Sequence, residues 1–122
     1  MFSLKLFFKS LANAARGLVG VWKNEQNFRF QVFFGLIVVV ATLIFLSDPI
    51  EKSIIFLLIC LVLVAELINT AFERMADILK PRIHPYIEQI KDILAAMVLI
   101  VSLFACIIGM VIFIPRILEM LG

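Results

Sequence analysis

From Leu4 to Trp22 the apolar residues Leu4, Phe7, Phe8, Leu11, Ala15, Leu18 and Trp22 recur every three or four positions, while Lys5, Lys9, Asn13, Arg16 and Lys23 gather on the other side. That spacing predicts a basic amphipathic helix over 4–23 lying in a membrane interface. A secretory signal peptide is the competing reading, but the charges are dispersed and no small-residue cleavage site follows an apolar block. The segment is therefore expected to stay attached. After Arg29 the alternation gives way to unbroken apolar runs: Phe30 to Ser47 carries no charge, and neither does Ile93 to Pro115. Each is long enough to cross a bilayer core. SDPIEK supplies a turn after the first run, with Asp48-Pro49 as its breaker.

The middle run is different. Only thirteen uncharged residues separate Lys52 from Glu66, which is about 20 Å of helix against a core of about 30 Å. The helix must carry Glu66 into the membrane, roughly 10 Å inside the interface that Glu73 reaches. Glu66, Asn69, Glu73 and Asp77 fall within roughly 80° of one another on that helix and form one polar stripe. An ionisable side chain at this depth costs on the order of 2.5–3.5 kcal/mol, so the stripe must face protein or water. ILKPRIHPYIEQIKD, after Asp77, reads as a loop followed by a new helix start at Lys91 and Asp92. Gly109 within the last run is expected to be a packing contact. The result is an all-α membrane protein, one domain over 1–122. It has a surface helix and transmembrane helices over about 28–47, 52–78 and 91–115.

Composition supports this reading: 122 residues that are 64% hydrophobic and 16% charged are too apolar for a soluble domain of that size. A net charge of +2 gives no reason to expect a nucleic acid partner. The placement of charge says more. Nine of the eleven Lys and Arg residues precede the first span or lie between the second and third, against Lys52 and Arg116 on the other side. This puts the N-terminus and the second loop in the cytoplasm, with every polar residue of interest on that face. Cys60 and Cys106 lie in apolar runs without a ligand pattern and are expected to be packing residues.

Carboxylates at two depths beside cationic groups suit a reaction between a water-soluble anion and a lipid head group. Glu25 and Glu73 are donors of the kind Mg²⁺ prefers, since that ion is usually held by one or two carboxylates plus substrate phosphates. Glu25 could equally be a solvated residue complementing the start of the first span. Lys91, expected at a helix N-terminus, is placed to meet a phosphate. Glu66, deeper and less hydrated, suits a base that takes a proton from a hydroxyl. No P-loop or kinase-type glycine-rich loop is present, so a nucleotide would be held by side chains and metal. The bland alternatives are interhelical glue or a proton path for the buried Glu, Asn and Lys, a loop role for His84 and an interfacial anchor for Trp22. As a function class, these amount to a non-catalytic membrane assembly or a proton-conducting protein.

The run AELINTAFERMADILKPRIHPYIEQIKDILAAMVLI, preceded by WKNEQNFR, resembles the prokaryotic diacylglycerol kinase and undecaprenol kinase family of small bacterial membrane lipid kinases. The likeness runs from about Lys9 to Ile100 and rests on E-x-x-N-[ST]-x-x-E followed by a lysine-aspartate pair. It implies a homotrimer in the bacterial inner membrane with its N-terminus cytoplasmic, phosphorylating a membrane lipid alcohol with ATP and Mg²⁺. Glu66 would be the catalytic base and Glu25 with Glu73 the metal ligands. Asn13, Glu25, Glu73, Arg82, His84, Lys91 and Asp92 would contact ATP. Trp22, Arg29, Asn69 and Ala95 would line the lipid site. Leu6 stands where some members have an arginine, which leaves Lys5 or Lys9 for any N-terminal phosphate contact. Leu94-Ala95 replaces the glycine-serine pair of the Gram-negative type, and the HPxxxxxKD spacing is similar to the Gram-positive type, often active on undecaprenol.

Overall fold

The computed structural model describes residues 1–79 and 85–122, whose regular structure is helical. α1 spans Leu4–Asn24, α2 Gln26–Phe45, α3 Pro49–Leu79 and α4 Pro85–Leu121. The last three are long and apolar enough to cross a membrane. Among the described residues there is no strand, and the chain is an all-α, multi-pass membrane protein.

α1 begins at Ser3, whose hydroxyl accepts from the Leu6 N–H. It buries no residue of its own, so Leu4, Phe7, Phe8, Leu11, Leu18 and Trp22 are exposed along its length. An amphipathic helix in that state suits a bilayer interface. Glu25 is the one residue between α1 and α2, with extended backbone at φ −115° and ψ 107°. Between α2 and α3, the Asp48 carboxylate accepts from the Ile50 N–H at 2.9 Å. Pro49, whose fixed φ suits a first helical residue, starts α3 directly. The proline expected to break the chain thus opens a helix, and Pro49 to Lys52 belong to α3 rather than to the turn.

α3 is the central helix, packed against α2 on one side and α4 on the other. Phe28, Gly35 and Thr42 are buried at every seventh position of α2, with Gln31 and Val38 half-buried between them. That spacing is the seam of a left-handed helix pair. On α3 the same period runs through Ile55, Val62, Asn69 and Ala76, and through Ile59, Glu66 and Glu73. The polar stripe is therefore the continuation of an apolar packing seam. A Cβ on Gly35 would stand 3.2 Å from the Ile59 Cγ2, so hydrogen at this position lets the two backbones approach. At the opposite end of the bundle Arg116 of α4 donates to both carboxylate oxygens of Glu51 at 2.8 and 3.1 Å.

Some expectations are corrected here. α4 starts at Pro85, not at Lys91, and continues through Pro115 to Leu121. Gly109 meets nothing within 4 Å of where a Cβ would be, and it lines an apolar groove of about 660 Å³ with Phe34, Ile59, Cys106 and Met110. Cys60 and Cys106 are exposed rather than packed. For Gly109 and Cys106 the reason is shared: α4 packs on α3 but has no fully buried residue within one chain.

Candidate active site at the polar end of the bundle

Where α2 crosses α3 near the α1–α2 joint, the seam turns polar. Glu66 is 4% exposed, and its Oε2 accepts from Gln31 Nε2 at 3.4 Å. One turn further, buried Asn69 donates through Nδ2 to Glu73 Oε1 at 3.2 Å. Glu66 lies within the electrostatic reach of both Glu73 and Glu25. Glu25 hangs from the single non-helical residue of the joint, and its Oε1 is 3.9 Å from Arg74 Nη2. Three carboxylates from three places in the sequence thus share one neighbourhood, graded from buried at Glu66 to partly hydrated at Glu25.

Gln31 Oε1, Asn69 Oδ1 and Thr70 Oγ1 are buried without a hydrogen-bond partner. Buried polar atoms are seldom left unpaired, and three on one stretch of seam mark a place where a ligand, water or another subunit completes the bonding. Among the described residues no three His, Cys, Asp or Glu side chains come together as a metal cage. The donor set that is present fits Mg²⁺ nevertheless. Two partly exposed carboxylates and the unpartnered Asn69 oxygen are hard ligands, and this ion takes the rest of its shell from water and phosphates.

Of the residues singled out in the sequence, Glu25, Glu66, Asn69 and Glu73 are brought together. Arg29 donates to the carbonyls of Trp22 and Lys23 at 2.9 and 3.0 Å, closing the last turn of α1 and fixing how it leaves the bundle beside Glu25. Asn13 is exposed on α1 and accepts from Arg16 at 3.0 Å. Lys91 and Asp92 stand in the second turn of α4, because Pro85 takes the first position. An anion beside Lys91 would find its ammonium alone, not the free amides of a helix start as well. Ala95 is exposed on α4, as is Asp77 at the end of α3. Arg82 and His84 lie outside the described residues. Sequence reading missed Gln31, Thr70 and Arg74. A lone amide inside an otherwise apolar span was the available signal for Gln31, and Arg74 was counted only as charge.

A family model described as prokaryotic diacylglycerol kinase matches residues 12–113. The chain is similar to the undecaprenol kinase of Bacillus subtilis (strain 168), 36% identical over 113 residues that cover 93% of this chain and 92% of that one. It is also similar to the diacylglycerol kinase of Synechocystis sp., 29% identical over 92% of this chain and 65% of the other. The diacylglycerol kinase of Helicobacter pylori (strain 26695) is 32% identical over 82% of this chain and 78% of its own length.

Proposed function

Because the chain belongs to the prokaryotic diacylglycerol kinase family and is a lipid kinase, we propose that it moves the γ-phosphoryl group of ATP onto the hydroxyl of a membrane lipid alcohol at the cytoplasmic face of the bacterial inner membrane. The observation that carries this reading is the buried Glu66 beside the more hydrated Glu25 and Glu73. Glu66 takes the hydroxyl proton as the lipid oxygen attacks phosphorus in line, and the bond to ADP breaks with its electrons on the leaving oxygen. Glu25 and Glu73 would hold Mg²⁺, which neutralises charge on the β- and γ-phosphates when bound. Asn69 orients Glu73, and Gln31 orients Glu66. Lys91 and Asp92 approach the nucleotide from α4 of a neighbouring subunit in a homotrimer, an arrangement supported by the open face of α4 and the orphaned oxygens of the seam. The basic-residue asymmetry supports the cytoplasmic orientation. The non-catalytic reading raised by the sequence gives way to membership of a kinase family.

Undecaprenol is the favoured acceptor over diacylglycerol. The undecaprenol kinase of B. subtilis is 36% identical over nearly its full length, and the groove beside Gln31 is apolar along its course. A polyprenyl alcohol asks for one hydroxyl partner, whereas ester carbonyls need donors as well. The test is detergent-solubilised protein with γ-labelled ATP, Mg²⁺ and a panel of lipid alcohols, scored for a labelled chloroform-soluble product. Undecaprenol should be the best acceptor, and a panel with no labelled lipid refutes the assignment. Glu66→Gln should cut turnover by about 10²–10⁴-fold while nucleotide binding is kept. A Glu66→Gln enzyme of ordinary activity removes the proposed base.

A further inference from the structure

Four arginines lie among the described residues, and three are committed to hydrogen bonds: Arg16 to Asn13, Arg29 to the α1 carbonyls, and Arg116 to Glu51 and Glu119. Arg74 donates none to any described residue. Its guanidinium is half exposed and faces Glu25 at 3.9 Å, beyond hydrogen-bond length. A guanidinium carries five N–H donors in a planar fork that matches phosphate oxygens two at a time. Here that fork stands uncommitted beside a carboxylate assigned to the metal of the nucleotide, one residue after the other such carboxylate, Glu73.

We infer that Arg74 is a phosphate-binding residue of this kinase. It pairs loosely with Glu25 before the nucleotide arrives and passes to the polyphosphate chain when Glu25 turns to the metal ion. The inference rests on the kinase reading given above and deepens it. The electrostatics make the exchange natural. An exposed ion pair at this distance holds its partners weakly. A cation held by Glu25 would repel Arg74, and phosphates bound with it would offer the guanidinium oxygens beside the same carboxylate. Each partner of the original pair thus gains a stronger one. The α3 backbone at Arg74 is helical and continues to Leu79, so the transfer needs side-chain rotation only.

The two halves of this exchange have opposite signatures, which separates it from a structural role. In full-length protein in detergent, Arg74→Gln should weaken binding of a non-hydrolysable ATP analogue with Mg²⁺ by about tenfold. It should raise the KM for MgATP similarly while leaving the KM for the lipid alcohol unchanged. Mn²⁺ alone, titrated without nucleotide, should bind Arg74→Gln as tightly as wild type or up to about fivefold tighter, because its competitor for Glu25 is gone. Arg74→Lys should recover part of the nucleotide affinity. Wild-type analogue binding by Arg74→Gln overturns the inference, and so does a parallel loss of Mn²⁺, which would mean that Arg74 merely shapes the site. A Glu25→Gln control isolates the underlying reading: if that variant binds Mn²⁺ and Mg-nucleotide like wild type, the metal assignment fails and the exchange fails with it, whatever Arg74→Gln shows.

Discussion

Glu66 is a buried carboxylate in an apolar helix, and its hydrogen-bond donor among the described residues is the Gln31 amide at 3.4 Å. Replacing Gln31 by Leu keeps the volume and removes that donor, leaving a buried acceptor uncompensated at a cost of about 1–3 kcal/mol. Turnover should fall by about tenfold through a less well oriented base, with the KM for MgATP unchanged. Steady-state kinetics with each substrate varied in turn would check this, and a raised KM for MgATP would assign Gln31 to the nucleotide instead. The residue also shows where sequence legibility ends. Glu66, Asn69 and Glu73 declare themselves by sitting three and four positions apart in an apolar run. Gln31 has no such companions on α2, and its meaning comes only from crossing α3 at that point. Arg74 was visible as a charge, but its freedom becomes visible only once the other arginines are seen to be engaged.

At the scale of elements, the apolar runs of α2, α3 and α4 announced three spans, because a single unbroken apolar run of that length satisfies its own backbone groups in a bilayer only as a helix. The ends were harder to read, and the prolines explain why. Pro49 and Pro85 both look like breakers, yet both stand where the missing N–H costs nothing and the fixed φ helps a helix begin. Shifting the start of α4 to Pro85 moved Lys91 into the second turn and changed how it can act. Packing of α2 on α3 turns on Gly35, whose added Cβ would meet the Ile59 methyl at 3.2 Å. Gly35→Ala asks that methyl to yield by a few tenths of an ångström and should be tolerated. Gly35→Leu should destabilise the pair by about 1–3 kcal/mol. Because the seam runs on into Glu66 and Glu73, activity should fall along with stability. Unfolding in mixed micelles followed by circular dichroism, beside turnover, would measure both.

For the whole molecule, the decisive feature is what one chain leaves uncovered. α4 buries none of its side chains. Among the described residues no hydrogen bond or ion pair joins Lys91 or Asp92 to the carboxylates of α3, and three oxygens on or beside the seam lack partners. A homotrimer whose sites draw Glu66 from one subunit and Lys91 from the next resolves all three points, and it can be tested without a structure of the assembly. Glu66→Gln and Lys91→Ala proteins should each be inactive alone. Mixed in equal amounts through a cycle of unfolding and reconstitution, they should regain activity. A working site needs α3 from a Lys91→Ala subunit beside α4 from a Glu66→Gln subunit, so random assembly gives about one quarter of wild-type activity in a closed ring. If each subunit carried a complete site of its own, every site in the mixture would hold one of the two lesions, and no activity would return at any ratio.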